Sequence, residues 1–251
     1  MVGLAVPGRI DHDHRLADSP VLSEWAGVDL RAELSRRLGC PVVVENDLHL
    51  AALAEHQLGQ APDDLIYLRL GRRIEVAIMV GGRVLQGSHR LAGDLDAQRG
   101  VRWAASYDRG GLNWSTGREA KPVFERAARG DRAAVEEIDD FCRQIAPRLA
   151  TLMLALDPKT VIVGGGLSKA GHLLLDPLRR EIDHQLTTSQ HPDLVLAELG
   201  GEGAQTGAIG YAFEQGSEQI FGIAAMTAPW CRLREQARTY PRLPTGTDGA
   251  Q

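Results

Sequence analysis

Apolar residues recur along this chain with two rhythms, that of strands and that of helices. Residues 2–6 are an apolar run of strand length, closed by the turn pair Pro7-Gly8. Val28, Leu30, Leu34 and Leu38 share one face at helical spacing, predicting a helix over 28–38 that Gly39 stops. A β-branched strand over 41–44 follows. Asn46 or Asp47 then caps a helix running to Leu58 and ended by Gly59. Residues 65–70 and 75–80 predict paired strands, with 83–85 returning after Gly81-Gly82. Helices are predicted over 121–130 and 131–156, the second capped by Asp131 and kinked or broken at Pro147. A strand over 161–163 runs into Gly164-Gly165-Gly166, followed by a helix over 173–186, a strand over 194–196 and a last helix opening over 207–213. Residues 9–23 read as a polar loop and 91–117 as the least regular stretch. Strands alternating with helices are the grammar of an α/β fold.

The composition suits that architecture. With 251 residues, 43% hydrophobic and 24% charged, the chain can build one large domain or two small ones, and a disordered or collagenous chain is excluded. A formal net charge of −5 argues against bulk electrostatic binding of nucleic acid. No basic recognition helix is evident either, so no direct nucleic-acid contact is expected from this chain. Cys40, Cys142 and Cys231 are odd in number and far apart, which excludes a disulfide framework and a CxxC zinc knuckle. No apolar run reaches the roughly 18 residues of a membrane span, and the first eight residues lack the marks of a signal peptide. A cytoplasmic protein without membrane contact is expected.

Five ordered segments carry a resemblance: GLAVPGRID at 3–11, PVVVENDLHLAALAEHQLG at 41–59, LAGDLD at 91–96, DPKTVIVGGGLSKAG at 157–171 and GAQTGAIGYA at 203–212. Together they resemble the ROK family of sugar kinases and sugar-responsive repressors, over most of residues 2–215. The resemblance implies an α/β, actin-like ATPase (ribonuclease H-like) fold of two lobes around a cleft. Residues 2–90 would form a partial N-terminal lobe lacking its first strands, 91–226 the C-terminal lobe, and 227–251 a poorly ordered tail. An unpaired sheet edge follows from that arrangement, and with it either a homo-oligomer that covers the edge or poor solubility.

The chemistry follows from these segments. A sugar kinase needs a carboxylate to take the proton of the attacking hydroxyl. The resemblance gives that role to Asp47, at a strand end and a helix start, and sugar binding to Asn46, Asp47 and Asp94. On the residues alone, Asn46 and Asp47 serve equally as helix caps. Gly164, Gly165 and Gly166, with Gly207, would flank a nucleotide; the three-glycine run reads equally as a tight strand-to-helix turn.

Four departures from the family pattern oppose catalysis. The 251 residues hold no DxGGT phosphate hairpin. The second phosphate loop, GTGxGxG in the family, reads Gly71-Arg72-Arg73-Ile74-Glu75-Val76-Ala77. Arg72 and Arg73 would attract an anion such as a sugar phosphate or stand as solvated strand-end charges, and the second is the expectation. The ExGH sugar motif has become Asp94-Leu95-Asp96-Ala97, and the family's sugar-contacting asparagine is Val21. Residues 99–117 contain no Cys or His, so the family's zinc site cannot form there and no zinc is expected.

Other residues are expected to be structural. Trp25, Trp103 and Trp114 are read as packing residues rather than a sugar platform, Cys40 and Cys142 as small core hydrophobes, and Glu55 as a surface carboxylate unless it faces the cleft. His12 and His14 have no partner for a metal. The resulting expectation is a non-catalytic, sugar-sensing and oligomerisation domain of a transcriptional regulator, binding a sugar or sugar phosphate. The alternative is a sugar kinase transferring the γ-phosphate of ATP, with Mg²⁺, to a hexose.

Overall fold

The computed structural model describes residues 1–19, 21–59, 61–95, 104, 107–108 and 111–223. Its strands are β1 (Val2–Val6), β2 (Arg9–Ile10), β3 (Leu16–Asp18), β4 (Val42–Asn46), β5 (Leu65–Leu70), β6 (Ile74–Val80), β7 (Arg83–Val84), β8 (Tyr107–Asp108), β9 (Gly111–Leu112), β10 (Thr160–Gly164) and β11 (Asp193–Leu196). The helices are α1 (Leu30–Leu38), α2 (Asp47–Leu58), α3 (Lys121–Ala128), α4 (Arg132–Leu156), α5 (His172–Gln185) and α6 (Gly203–Phe221).

The main sheet has the order β11-β10-β5-β6-β7. Its β11, β10 and β5 run parallel, and β6 and β7 are antiparallel additions. Period-two alternation sorts its side chains between two cores. Ile66, Leu68, Leu70, Val161 and Val163 pack against α3, α4 and α5, meeting Phe124, Phe141, Ile145, Leu174 and Leu178. Leu65, Tyr67, Ala77, Met79 and Ile162 point the other way, onto Leu48, Ala51 and Ala52 of α2. A smaller core joins the parallel pair β1 and β4 to α1 through Val6, Ile10, Leu16, Leu30, Val42 and Val44.

Two close approaches fix α2 and its surroundings. A Cβ on Gly207 would collide with the backbone carbonyl of Leu50, so α6 lies directly on α2. A Cβ on Gly164 would collide with the Tyr67 hydroxyl, so that glycine makes room for a buried ring.

Several expectations are corrected. Residues 9–23 contain the antiparallel pair β2 and β3, with Leu16 fully buried, because one apolar side chain per short strand suffices to dock it. The first amphipathic helix starts at Leu30 behind an Asp29 cap, leaving Val28 outside it. The last helix opens at Gly203, ahead of 207, and runs to Phe221. Helix α4 continues through Pro147 unbroken, held by tertiary packing of Ile145, Ala146 and Leu149. Position 90 does not divide the sheets, since β5, β6 and β7 share one sheet with β10 and β11. Cys142 is buried as expected and Cys40 half-buried. Trp114 packs in the core against Phe124 and Phe141, at centroid distances of 5.7 and 5.1 Å, whereas Trp25 is exposed. Trp103, Asp96, Ala97, Cys231 and the 227–251 tail lie outside the described residues. No helix among the described residues is long and apolar enough to cross a membrane.

Candidate active site

A cleft of about 520 Å³ opens where β4 meets α2, beside the β5–β6 turn. The backbone places its residues. Strand β4 ends at Asn46, whose side-chain oxygen accepts the Leu48 and His49 amides at 2.8 and 3.1 Å and so starts α2. Such a cap contributes about 1 kcal/mol. The Asn46 side-chain amide also donates to the Gly8 carbonyl at 2.8 Å, tying the β1–β2 turn to the helix start. Asp47, the first residue of α2, points into the cleft. Asp94 reaches the same space from a turn pressed onto β6, where Gly93 (φ 84°) leaves no room for a Cβ against the Val76 carbonyl.

The cleft thus brings together Asn46, Asp47, Asp94, Gly165 and Gly166. It does not bring in Gly164 or Gly207, whose missing side chains serve packing against Tyr67 and Leu50. Gly166 does present open space at its absent Cβ and faces Gly71, whose own absent Cβ would sit 3.8 Å from the Gly166 amide. Val21 is 69% exposed at the rim.

The sequence reading missed Arg69. It continues the Leu65–Tyr67 row on the α2-facing side of β5, so it meets the start of α2. Its two terminal nitrogens donate to the two carboxylate oxygens of Asp47 at 2.8 and 3.2 Å, and its Nε donates to Glu75 at 2.8 Å. Burial alone would lower the Arg69 pKa, but the hydrogen bonds and charges of Glu75 and Asp47 outweigh it and raise the value. Arg69 and Glu75 are direct cross-strand partners in the β5–β6 register, and each falls in phase with the apolar row facing α2. That phase, readable in the sequence, was the available signal.

A second polar group lies deeper. Glu45 is 5% exposed. Its Oε1 accepts from the Asn46 amide at 2.7 Å and pairs with His49 Nδ1 at 3.1 Å, while its Oε2 accepts from Gln86 at 2.7 Å. Arg90 Nη1 stands 3.9 Å from the same Oε2. Burial would push the Glu45 carboxyl up; the hydrogen bond and charge of His49, the Asn46 amide and Arg90 hold it below the ordinary range instead. Arg90 has φ 53°, a left-handed conformation that costs a residue other than glycine about 1–2 kcal/mol.

Glu55 is neither a surface group nor a cleft group. It is 2% exposed and accepts the Glu198 and Leu199 amides at 3.1 and 2.9 Å, and burial raises its pKa. Arg72 and Arg73 line the cleft mouth, with Arg72 exposed.

Comparison with known proteins places this geometry. A family model described as the ROK family matches residues 1–96 and 98–214. The bifunctional enzyme NanE/NanK of Brucella melitensis is 31% identical over 83% of this chain, which spans 42% of that enzyme's length. The N-acetyl-D-glucosamine kinase of Photobacterium profundum is 28% identical over 83% of this chain and 78% of its own. The crystal structure of a ROK family glucokinase from Streptomyces griseus, in complex with glucose and AMPPNP, superposes with a TM-score of 0.70 at 27% identity. The match covers 82% of this chain and 79% of that one. The α/β, actin-like fold is therefore the fold of ROK sugar kinases. These relatives also overturn the expectation of a non-catalytic regulator domain. The four departures from the family pattern were weighed too heavily against a scaffold whose named relatives are sugar kinases.

Proposed function

The chain belongs to the ROK family, and from that membership we propose that it serves as a sugar kinase whose cleft binds a hexose. Asp47 takes the proton of the sugar hydroxyl that receives the phosphoryl group. The observation that carries this reading is the meeting of Asp47 and Asp94 in one cleft with the Gly165–Gly166 turn, where Gly166 has open space at its absent Cβ. A carboxylate has about four lone-pair sites, so Asp47 has capacity for a sugar hydroxyl beside the two bonds from Arg69. Arg69 fixes the carboxylate's orientation, as a base in a well-ordered site requires. Asp94 accepts a second hydroxyl and sets the ring's position. Asn46 contributes through its remaining amide hydrogen, since its oxygen is spent on the α2 amides.

ATP and Mg²⁺ belong to this reading through the family likeness. The residues at the donor end do not fit a magnesium triphosphate cradled by glycine amides. Arg73 and Glu75 stand where the family loop has glycines and Arg72 where it has a threonine, and among the described residues no three His, Cys, Asp or Glu side chains gather as a metal site.

Coupled ADP release over a panel of hexoses tests the proposal. Turnover that disappears in Asp47→Ala supports it. No turnover with any hexose, or turnover that survives Asp47→Ala, contradicts it.

A further inference from the structure

Arg90 sits in the cleft wall with a left-handed backbone and long side-chain contacts. Its backbone is left-handed at φ 53°. Its side chain is only 17% exposed, and its Nε is buried without a hydrogen-bond partner among the described residues. The Nη1 contacts are long, 3.4 Å to the Ile10 carbonyl and 3.9 Å to Glu45 Oε2. Hydrogen bonds of full strength are shorter than these. A strained residue with an orphaned buried donor is the kind of cost that binding sites store and a ligand repays. Arg90 lines the same cleft as Asp47, Asp94 and His49.

We propose that Arg90, together with Glu45, is a sugar-recognition site in this cleft. The pair offers donors from the guanidinium beside an acceptor oxygen, and a sugar hydroxyl both accepts and donates. Glu45 is held in its charged form, so the wall is neutral as a pair and suits a neutral hexose better than a phosphorylated one. The inference rests on the sugar-binding part of the proposed function and not on phosphoryl transfer.

Calorimetry and thermal melting of the wild type, Arg90→Gly and Arg90→Lys with glucose, mannose, N-acetylglucosamine and N-acetylmannosamine test it. Glycine adopts the left-handed backbone freely. Arg90→Gly should therefore melt at or above the wild-type temperature without sugar, yet bind the preferred sugar at least tenfold more weakly. Arg90→Lys keeps the charge but not the planar fork, and should also lose at least several-fold in affinity. A purely structural arginine would show the opposite pattern, lower stability with unchanged affinity for the sugar. Should Arg90→Gly fail to fold, Arg90→Asn carries the same reading, because asparagine tolerates that backbone. Affinity within twofold of wild type in these variants overturns the inference, as does a wild type that binds none of the sugars. Sugar binding without ADP release would sink the kinase reading and leave this one standing. ADP release with unchanged affinity in Arg90→Gly would do the reverse.

Discussion

At one end of the cleft, Asn46 and Asp47 start α2 beside Asp94; at the other, Arg69, Arg72, Arg73 and Glu75 crowd the β5–β6 turn. The first end keeps short polar side chains around open space. The second is crowded by large charged side chains, two of which, Arg73 and Glu75, stand where the family resemblance calls for glycine. The two ends nonetheless hang on the same frame. Leu65, Tyr67, Ala77 and Met79 pin β5 and β6 to α2, and Gly207 lets α6 close on α2 from behind. The lesson is that packing behind the cleft, with the Asn46 cap and the Arg69 network inside it, holds the strand ends and the helix start in place. Side chains at a turn can then change without moving the carboxylates across from them.

Six variants break or sharpen that contrast. The largest effect is expected at the sugar end. Asp47→Ala should lower hexose-dependent ADP release at least about 100-fold, the low end for loss of a general base, while Arg72→Ala should leave sugar affinity unchanged. Equal losses in both would erase the distinction between the ends. Next comes the ion pair that joins them. Removing Arg69 leaves Asp47 and Glu75, each less than a third exposed, without their shared cation. Urea unfolding of Arg69→Ala should show a loss of roughly 1.5–3 kcal/mol; a loss near zero would mean that the network does not hold the strands to α2.

The frame itself is probed by Gly207→Ala, which puts a methyl group into the Leu50 carbonyl and should cost about 1–3 kcal/mol. Gly166→Ala adds its methyl to open space, so its denaturation midpoint should stay at the wild-type value. The smallest effect is a pH dependence at Glu45. Its folded pKa lies below the ordinary 4.5, so its ionised form stabilises the fold above that value, and the gain is lost as pH falls through the folded pKa. Glu45→Gln should therefore be less stable than wild type by about 1 kcal/mol at neutral pH, with the gap closing in acid. A gap that stays constant down to low pH would contradict the assignment.

Much of this was legible in the sequence, and for identifiable reasons. Strands β1, β5 and β10 and helices α2 and α4 follow from apolar periodicity with clear caps at Asn46 and Asp131. Asp47, Asp94 and the Gly165–Gly166 turn were named because they sit in ordered motifs, and they line one cleft. Strands β2 and β3 were hidden because two- and three-residue strands are too short to show a period. Gly164 and Gly207 looked like ligand glycines because close packing and ligand approach both demand a missing Cβ. Arg69 was missed although its phase with Leu65 and Tyr67 was readable, because a charged residue inside a strand was not followed to its cross-strand partner. Glu45 and Arg90 lie 45 positions apart, and only the fold brings them together. The functional weighing went wrong at one point: the departures in the phosphate, sugar and zinc motifs were taken to outweigh a scaffold whose named relatives are sugar kinases.

The most direct test of the account is a crystal structure of the wild-type protein soaked with the hexose it binds best. The account predicts a sugar ring in the cleft with one hydroxyl within about 2.6–3.2 Å of the Asp47 carboxylate, and with Asp94 and Arg90 on neighbouring oxygens. A sugar bound away from Asp47, or a cleft that stays empty at saturating sugar, would contradict it.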